Sequence, residues 1–325
     1  MSERQNPKQK TLSVWVITDG KIGDDVQCLA VARGLADTFE KKIARPRPPW
    51  EWMAPWGPPD PREAPSRAGG AFGPPFPDVL FVSGRRAIPC GLAVKRASGG
   101  ASFLAIMKDP RFGRARADLV WTPAHDRFSG NNVFKTLTSP HGLREKIQAA
   151  REQPLSAIAS LDGPILGVCL GGPSRGAQFD AASAAMFAEQ LNVARKDFAS
   201  IAITPSRRTP PGFVRAIRDA LSGDAVYIWD GDGDNPYIDI LARSDALIVT
   251  ADSHNMMSEA VATGIGVYAW RPKGLAPKLA WFVSELEKQG AVRSFDGPAA
   301  AFRRPAIDAT QEIVAEIERR MRARA

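Results

Sequence analysis

Apolar residues along this chain come in short, nearly unbroken runs. LSVWVI (12–17), DVLFV (78–82), SFLAIM (102–107), DLVWT (118–122), PILGVCL (164–170), SIAIT (200–204), AVYIW (225–229), ALIVT (246–250) and GVYAW (266–270) are all rich in β-branched or aromatic residues. Because they do not alternate with polar residues, they predict strands buried on both faces, as in a parallel sheet. Between them lie amphipathic stretches that predict helices: VQCLAVARGLADTF (26–39), FDAASAAMFAEQLN (179–192) and GFVRAIRDALS (212–222). Strand–helix alternation of this kind predicts an α/β protein made of two Rossmann-like doubly wound domains facing a cleft.

Two domains also follow from length, since 325 residues exceed what one hydrophobic core usually encloses. The expected division is 1–154 and 155–325, with LSAIASLDGP (155–164) as linker after the helical stretch GLREKIQAAREQ (142–153). The last helix, 308–325, presents Ile313, Val314 and Ile317 on one side; its return onto the N-terminal domain stays open. One segment breaks the alternation. Residues 46–77 hold 11 of the 27 prolines and three of the eight tryptophans, which argues against a helix or central strand there. Trp50, Trp52 and Trp56, near Arg45, Arg47 and Arg62, either dock on a membrane interface, cover a cleft, or pin the loop to its own domain.

Charge sharpens the division. The net charge is +8, and residues 1–150 carry 23 Lys/Arg against 14 Asp/Glu, so the excess is N-terminal. An anionic partner suits that half: a phosphorylated substrate, an acidic lipid surface, or nucleic acid. Nucleic acid is the weakest of these, because the basic residues form no motif and aromatics interleave only in the proline-rich loop. Cys28, Cys90 and Cys169 are too few and too scattered for a disulfide framework or a zinc site, which points to a reducing cytoplasm. No apolar run approaches the ~20 residues of a membrane-spanning helix. LSVWVI reads as a first strand rather than a signal peptide. The expected location is cytoplasmic, with peripheral association at the inner face of the membrane as an option.

In an open parallel sheet, ligands bind beyond the carboxyl ends of the strands. The segments following the strands are TDGKIGDD (18–25), SGRR (83–86), KDPR (108–111) and TPAHD (122–126) in the first half. In the second they are GGPSRG (171–176), TPSRRTP (204–210), DGDGDNP (230–236) and ADSHN (251–255). Gly171 and Gly172, with Ser174 and Arg175, suit a loop that cradles an anion such as a diphosphate. Ser206, Arg207 and Arg208 add guanidinium forks at the next strand end, unless they form a solvated pair. In ADSHNMMSEAVATG (251–264), Ser253 or Asn255 can cap a helix. Glu259 is either a carboxylate favoured by the helix dipole or an acceptor for a ribose diol. Met256 and Met257 are core residues or the border of a nucleobase site. Asp24 or Asp25 can cap helix 26–39; alternatively Asp19 or Asp24 acts as a general base. His125, beside Asp126, is a further candidate base. No Cys/His/carboxylate cluster has metal-ligand spacing, DGDGDNP lacks the calcium-loop pattern, and there is no GxSxG.

WVITDGKIGDDVQCLAVARGL, ILGVCLGGPSRG, ITPSRRTPP and DALIVTADSHNMMSEAVATGIGVYAW occur in this order over about residues 12–290. Together they resemble the mitochondrial-fission "elongated mitochondria" family of plants and its bacterial relatives, and PRPPWEW fits too. That family resembles glycosyltransferases of the two-domain GT-B architecture. The resemblance implies a nucleotide-diphosphate sugar as donor substrate in the C-terminal domain, with no tightly bound cofactor and no metal. It maps Glu259 to the ribose, Gly171, Gly172 and Ser174 to the diphosphate loop, and Ser253 and Ser258 to helix-end contacts. It implies an anionic or lipid-linked acceptor on the basic N-terminal domain and fits a bacterial cytoplasmic protein. Three functions follow: a metal-independent glycosyltransferase with Asp19 or Asp24 as base, a non-catalytic peripheral membrane or partner-recruiting protein, and a nucleotide-sugar epimerase.

Overall fold

The computed structural model describes residues 12–174, 176–221, 223 and 225–324. In chain order the elements are β1 (Val14–Thr18), α1 (Ile22–Leu35), β2 (Glu40–Ile43), α2 (Trp50–Met53), β3 (Val79–Ser83), α3 (Ile88–Ala97), β4 (Phe103–Met107), β5 (Leu119–Pro123) and β6 (Val133–Thr136). There follow α4 (Arg144–Glu152), α5 (Ser156–Ala159), β7 (Ile165–Leu170), α6 (Ala181–Ala194), β8 (Ser200–Pro205), α7 (Pro211–Ala220), β9 (Val226–Ile228) and α8 (Tyr237–Arg243). The chain closes with β10 (Ala246–Thr250), α9 (His254–Val261), β11 (Gly266–Trp270), α10 (Pro277–Lys288), β12 (Val292–Ser294) and α11 (Ala309–Arg324). All nine apolar runs form strands. β2 and β6 edge the first sheet and β12 and β9 the second, and the edge strands β2 (EKKI) and β6 (VFKT) carry lysines. Edge strands face solvent on one side, so β2 and β6 lack the apolar signature that marks the central strands.

The chain divides into two compact units, each an α/β sandwich around one six-stranded parallel sheet. Of the described residues, the first contains those within 12–136, 140–142 and 310–324, and the second those within 137–139 and 143–309. The division therefore falls earlier than the linker read from sequence. Helix α4 goes with the second unit, where Leu143, Ile147 and Ala150 join its core. Helix α11 belongs to the first unit. Its Ile313, Val314 and Ile317 pack with Cys28 and Val31 of α1 over one face of the first sheet.

The strand order in the first unit is β2-β1-β3-β4-β5-β6, and in the second it is β12-β11-β10-β7-β8-β9. Each order reverses direction once: between β1 and β3 in the first sheet, and between β7 and β10 in the second. At such a switch point the following loops leave toward opposite faces and open a crevice beyond the carboxyl ends. The central strands are buried on both faces, and four hydrophobic clusters, two per sheet, cover them.

The proline-rich segment is ordered by one buried carboxylate. Asp60, 1% exposed, accepts hydrogen bonds from the Arg47 backbone N–H (3.0 Å), Arg47 Nε and Nη2 (2.8 and 2.7 Å) and the Arg62 N–H (2.9 Å). The Arg47 guanidinium holds the Asp60 carboxyl far below the usual carboxylate range. Despite its prolines the segment contains the single turn α2 and a 3-10 turn at Pro61–Glu63. Single turns of this kind need few intrahelical bonds, so a proline at N1 does not preclude them.

Candidate functional site

In the second unit the switch point lies between the carboxyl ends of β7 and β10, where Gly171–Ser174 meets Ala251–Ser253. The two loops are tied by Asp252, whose side chain is fully buried. Its Oδ2 accepts from the Gly172 N–H (3.0 Å) and from Arg208 Nη2 (3.1 Å), and its Oδ1 accepts from Thr250 Oγ1 (2.7 Å). Thr250 Oγ1 also accepts the Gly171 N–H (2.7 Å). The two glycine N–H groups are thus already bonded inside the protein. A Cβ on Gly171 would lie 2.1 Å from Asp252 Oδ1, and one on Gly172 would lie 2.2 Å from the Arg208 carbonyl oxygen. Glycine is needed here because the loops approach each other.

The loop after β8 completes the corner. Ser206 N–H donates to the Leu170 carbonyl (2.8 Å), and Thr209 Oγ1 donates to the Gly171 carbonyl (2.5 Å). Ser206 Oγ lies 3.2 Å from Thr209 Oγ1. Arg208 extends outward from Asp252 with its guanidinium half exposed, and it also reaches the Pro173 carbonyl (3.4 Å). Arg207 is exposed. Ser174 Oγ lies 3.4 Å from the Asp252 carbonyl. Arg175 lies outside the described residues. Gly171, Gly172, Ser174, Ser206 and Arg208 are therefore brought together, with Asp252 and Thr209 as the groups that hold them.

Helix α9 leaves the same corner. Ser253 caps it, its Oγ accepting the Met256 N–H at 3.4 Å. Ser258 is buried and serves the fold instead: its Oγ accepts the Ser139 N–H (3.1 Å) and touches His254 Nδ1. Met257 is fully buried in the core, and Met256 packs against it. Glu259 departs from the helix-dipole reading. The helix runs from His254 to Val261, which puts Glu259 in its last turn. Carboxylates are disfavoured at that end, where the backbone carbonyls carry partial negative charge. Burial pushes the Glu259 carboxyl up as well, opposed by the hydrogen bond from Tyr237 and the field of Lys146. Tyr237 Oη donates to Glu259 Oε2 at 2.5 Å, and Cys169 at the end of β7 feels the same carboxylate. Glu259 thus stands behind the switch-point loops in a place that does not favour an anion.

The first unit's switch point, between β1 and β3, is built differently. Asp19 follows β1 and its side chain is 2% exposed. Its Oδ2 lies 3.2 Å from Lys21 Nζ, while its Oδ1 has no hydrogen-bond partner. Gly84, after β3, has φ +95°, and a Cβ there would sit 2.5 Å from Asp19 Cγ. Asp24 does not cap α1, which begins at Ile22 without a side-chain cap. Its Oδ1 instead accepts from Ser83 Oγ (3.1 Å) and from Lys108 Nζ (2.8 Å). Asp25 is held by Thr18 Oγ1 and Lys41 Nζ. A cavity of about 330 Å³ opens beside these groups, bordered by Lys21, Asp24, Gly84, Arg85, Lys108 and Arg111. His125, in the loop after β5, borders a second hollow of about 500 Å³ that shares Lys108, Asp109 and Arg111; its Nε2 is 3.7 Å from Asp126 Oδ1. Asp24 and His125 therefore belong to adjoining hollows of one unit, with Asp19 behind Gly84.

Lys108 and Arg111 stand in left-handed backbone conformations, with φ +91° and +61°. For residues with a side chain this costs roughly 1–3 kcal/mol each and persists where the surroundings impose it, often at functional sites. The sequence stretch KDPR marks the strand end but carries no sign of that strain. Tyr237 and Asp252 were likewise unassigned; the only signal for Asp252 was its place immediately after the β10 run. Among the described residues, no group of three or more His, Cys, Asp or Glu is placed to hold a metal ion. Nor is any helix long and apolar enough to cross a membrane.

Residues 22–321 match the model of the family described as mitochondrial fission ELM1. The chain belongs to this family. One relative is the mitochondrial fission protein ELM1 of Arabidopsis thaliana, 29% identical over 280 residues. That alignment covers 76% of this chain and 65% of the plant protein, so the chain spans a little under two thirds of that relative. An uncharacterised Rickettsia prowazekii protein, RP120, is 33% identical over 135 residues, covering 40% of this chain and 38% of its own. Among solved structures, a Listeria monocytogenes protein provisionally assigned as a UDP-N-acetylglucosamine 2-epimerase superposes with a TM-score of 0.56 at 11% identity. The superposition covers 96% of this chain and 97% of the other, and it places the fold with the two-domain GT-B proteins.

Proposed function

We propose that this ELM1-family protein binds a nucleoside-diphosphate sugar at the β7/β10 switch point and transfers the sugar to an acceptor bound by the first unit. The observation that carries the reading is Glu259. Helix dipole and desolvation both work against a carboxylate in the last turn of α9, so its presence there calls for donors beyond those the fold supplies. Tyr237 offers one hydroxyl. A ribose diol offers two further donors to the same carboxylate. Arg208, half exposed beside the Asp252 corner, suits a diphosphate oxygen, and the exposed Arg207 is a neighbour in sequence.

In this reading Asp252 is a positioning residue that fixes both loops, and Ser253 and Ser258 hold α9 in place. Asp19, with a buried oxygen that lacks a partner, is the preferred base for the acceptor hydroxyl, ahead of Asp24, whose oxygen already holds Lys108. The likeness to solved structures bears only on the fold; the chemistry rests on these side chains.

Calorimetric titration of the full chain with UDP-, GDP- and ADP-sugars tests the reading. One nucleotide class is expected to bind, and Glu259→Ala to weaken it by about tenfold or more, the loss of one or two hydrogen bonds to a charged group. Absence of binding in every class, or unchanged affinity in the variant, would sink it. Conversion of the donor with no acceptor present would replace transfer with epimerisation.

A further inference from the structure

The first unit's cavity has features that the transferase reading leaves unassigned. Four cationic side chains, Lys21, Arg85, Lys108 and Arg111, border it against two carboxylates, Asp24 and Asp109. Both carboxylates are already engaged: Asp24 with Lys108, and Asp109 in a two-pronged pair with Arg114 Nε and Nη2 (2.6 Å each). The guanidinium groups of Arg85 and Arg111 have no carboxylate partner among the described residues, although the Arg111 backbone N–H donates to Asp109 Oδ1 (2.9 Å). Arg85 donates only to the Ala54 carbonyl (2.6 Å). The strained backbone of Lys108 and Arg111 turns two of these cations onto the cavity rim.

The same cavity is bordered by Pro55 and Trp56 of the proline-rich segment. Trp56 is 61% exposed, Trp52 is 70% exposed and Met53 is 39% exposed, three large apolar side chains within five consecutive residues. They are held in place. Arg86 pairs with Glu51 of α2, Arg85 grips the Ala54 carbonyl, and Asp60 anchors the loop behind them. A clamped patch of tryptophan and methionine beside a cationic hollow matches the two chemistries of a lipid–water interface, where indoles settle at headgroup depth and cations meet phosphate.

We infer that the β1/β3 cavity receives the phosphomonoester headgroup of a lipid, with Trp52, Met53 and Trp56 seated in the bilayer interface beside it. Arg85, Arg111 and Lys108 contact the phosphoryl oxygens; guanidinium forks fit such oxygens in pairs. A phosphomonoester is preferred over a diester because it carries more charge and three free oxygens for the same set of donors. The inference rests on the transferase reading only in placing this lipid in the unit that binds the acceptor. Headgroup binding itself stands without it.

Sedimentation with phosphatidylcholine vesicles containing either phosphatidic acid or phosphatidylglycerol, at matched surface charge, tests the inference on the full chain. Binding is expected to be several-fold stronger with phosphatidic acid, and to fall by at least about tenfold in the K108G/R111G variant, which removes two cations near the surface. Glycine suits both backbone conformations, so this variant is expected to fold. W52A, at a side chain outside the cavity wall, is expected to lose vesicle binding while free glycerol 3-phosphate still binds. Equal binding to the two anionic lipids, unchanged binding in K108G/R111G, or binding of free glycerol 3-phosphate without binding to vesicles would overturn it. Nucleoside-diphosphate titration of K108G/R111G keeps the two readings apart. Phosphatidic acid binding with no nucleotide binding to the wild-type chain would uphold the headgroup site and remove the transfer.

Discussion

The two switch points share a topology and differ in what their loops do. At β7/β10 the glycine-rich loop, the loop after β8 and the loop after β10 bond to one another through Asp252, Thr250 and Thr209. At β1/β3 the loops also come close, with Gly84 against Asp19 and Ser83 bonded to Asp24, but they leave groups facing open space. A carboxylate oxygen is left without a partner, and two strained cationic residues border an open cavity. A glycine pair behind a strand is thus no sign by itself of a loop ready for a ligand. In the second unit it signals that two loops touch, and we propose that the ligand meets the groups behind or beside them, Glu259 and Arg208.

The largest effect is expected where the contrast is sharpest. Gly172→Ala should destabilise the second unit by about 3 kcal/mol or more, since the new methyl meets backbone that has no room to give. A loss below about 1 kcal/mol in urea denaturation would mean that the loops are not locked together. Asp252→Ala should cost about 2–3 kcal/mol, because the buried Gly172 N–H, the Thr250 hydroxyl and the Arg208 charge lose their acceptor. Asp252→Asn should lose less, and the difference between the two measures the acceptor alone.

In the first unit the sign reverses. Lys108→Gly should stabilise the protein by about 1 kcal/mol in thermal or urea unfolding, since glycine accepts a positive φ without strain. Loss of stability instead would mean that the Asp24–Lys108 pair outweighs the strain.

The smallest effect is expected at Glu259. Its carboxyl is pushed up by burial, so the folded state holds that proton more tightly than the unfolded chain does. The stabilisation linked to this proton is complete below the unfolded value and is lost as pH rises through the folded one. Glu259→Gln should therefore raise neutral-pH stability by about 1 kcal/mol or less, an advantage that shrinks as pH falls toward the ordinary glutamate range. An advantage that grows on acidification would show that the carboxylate is favoured where it stands.

Legibility in the sequence follows the same physics. Eight of the nine predicted strands were readable because burial leaves nearly unbroken apolar runs; the ninth, β9, is a half-buried edge strand that its apolar composition still marked. β2 and β6 were not readable, since EKKI and VFKT mix lysines with apolar residues. The strand-end segments were readable because parallel sheets place ligands there, and GGPSRG, TPSRRTP and ADSHN do meet at one corner. Their roles were not, because who bonds whom depends on distances across the sheet: Gly172 and Asp252 are 80 positions apart. For a similar reason the sequence places α4 with the first domain, whereas it packs in the second, and leaves the docking of α11 open. An amphipathic stripe reports that a face is covered, without naming the unit that covers it. The position of Glu259 in its helix turned on where α9 stops, and the Val261–Gly264 region sets that by a backbone change that composition alone does not locate.

Hydrogen exchange of the full chain, with and without a saturating nucleoside diphosphate, tests the central claim most directly. The account predicts new protection in 171–174, 206–209 and the α9 segment 254–261, with 84–86 and 108–111 unchanged. Protection at 84–86 and 108–111 instead, or none in either unit, would contradict a donor site built around Glu259.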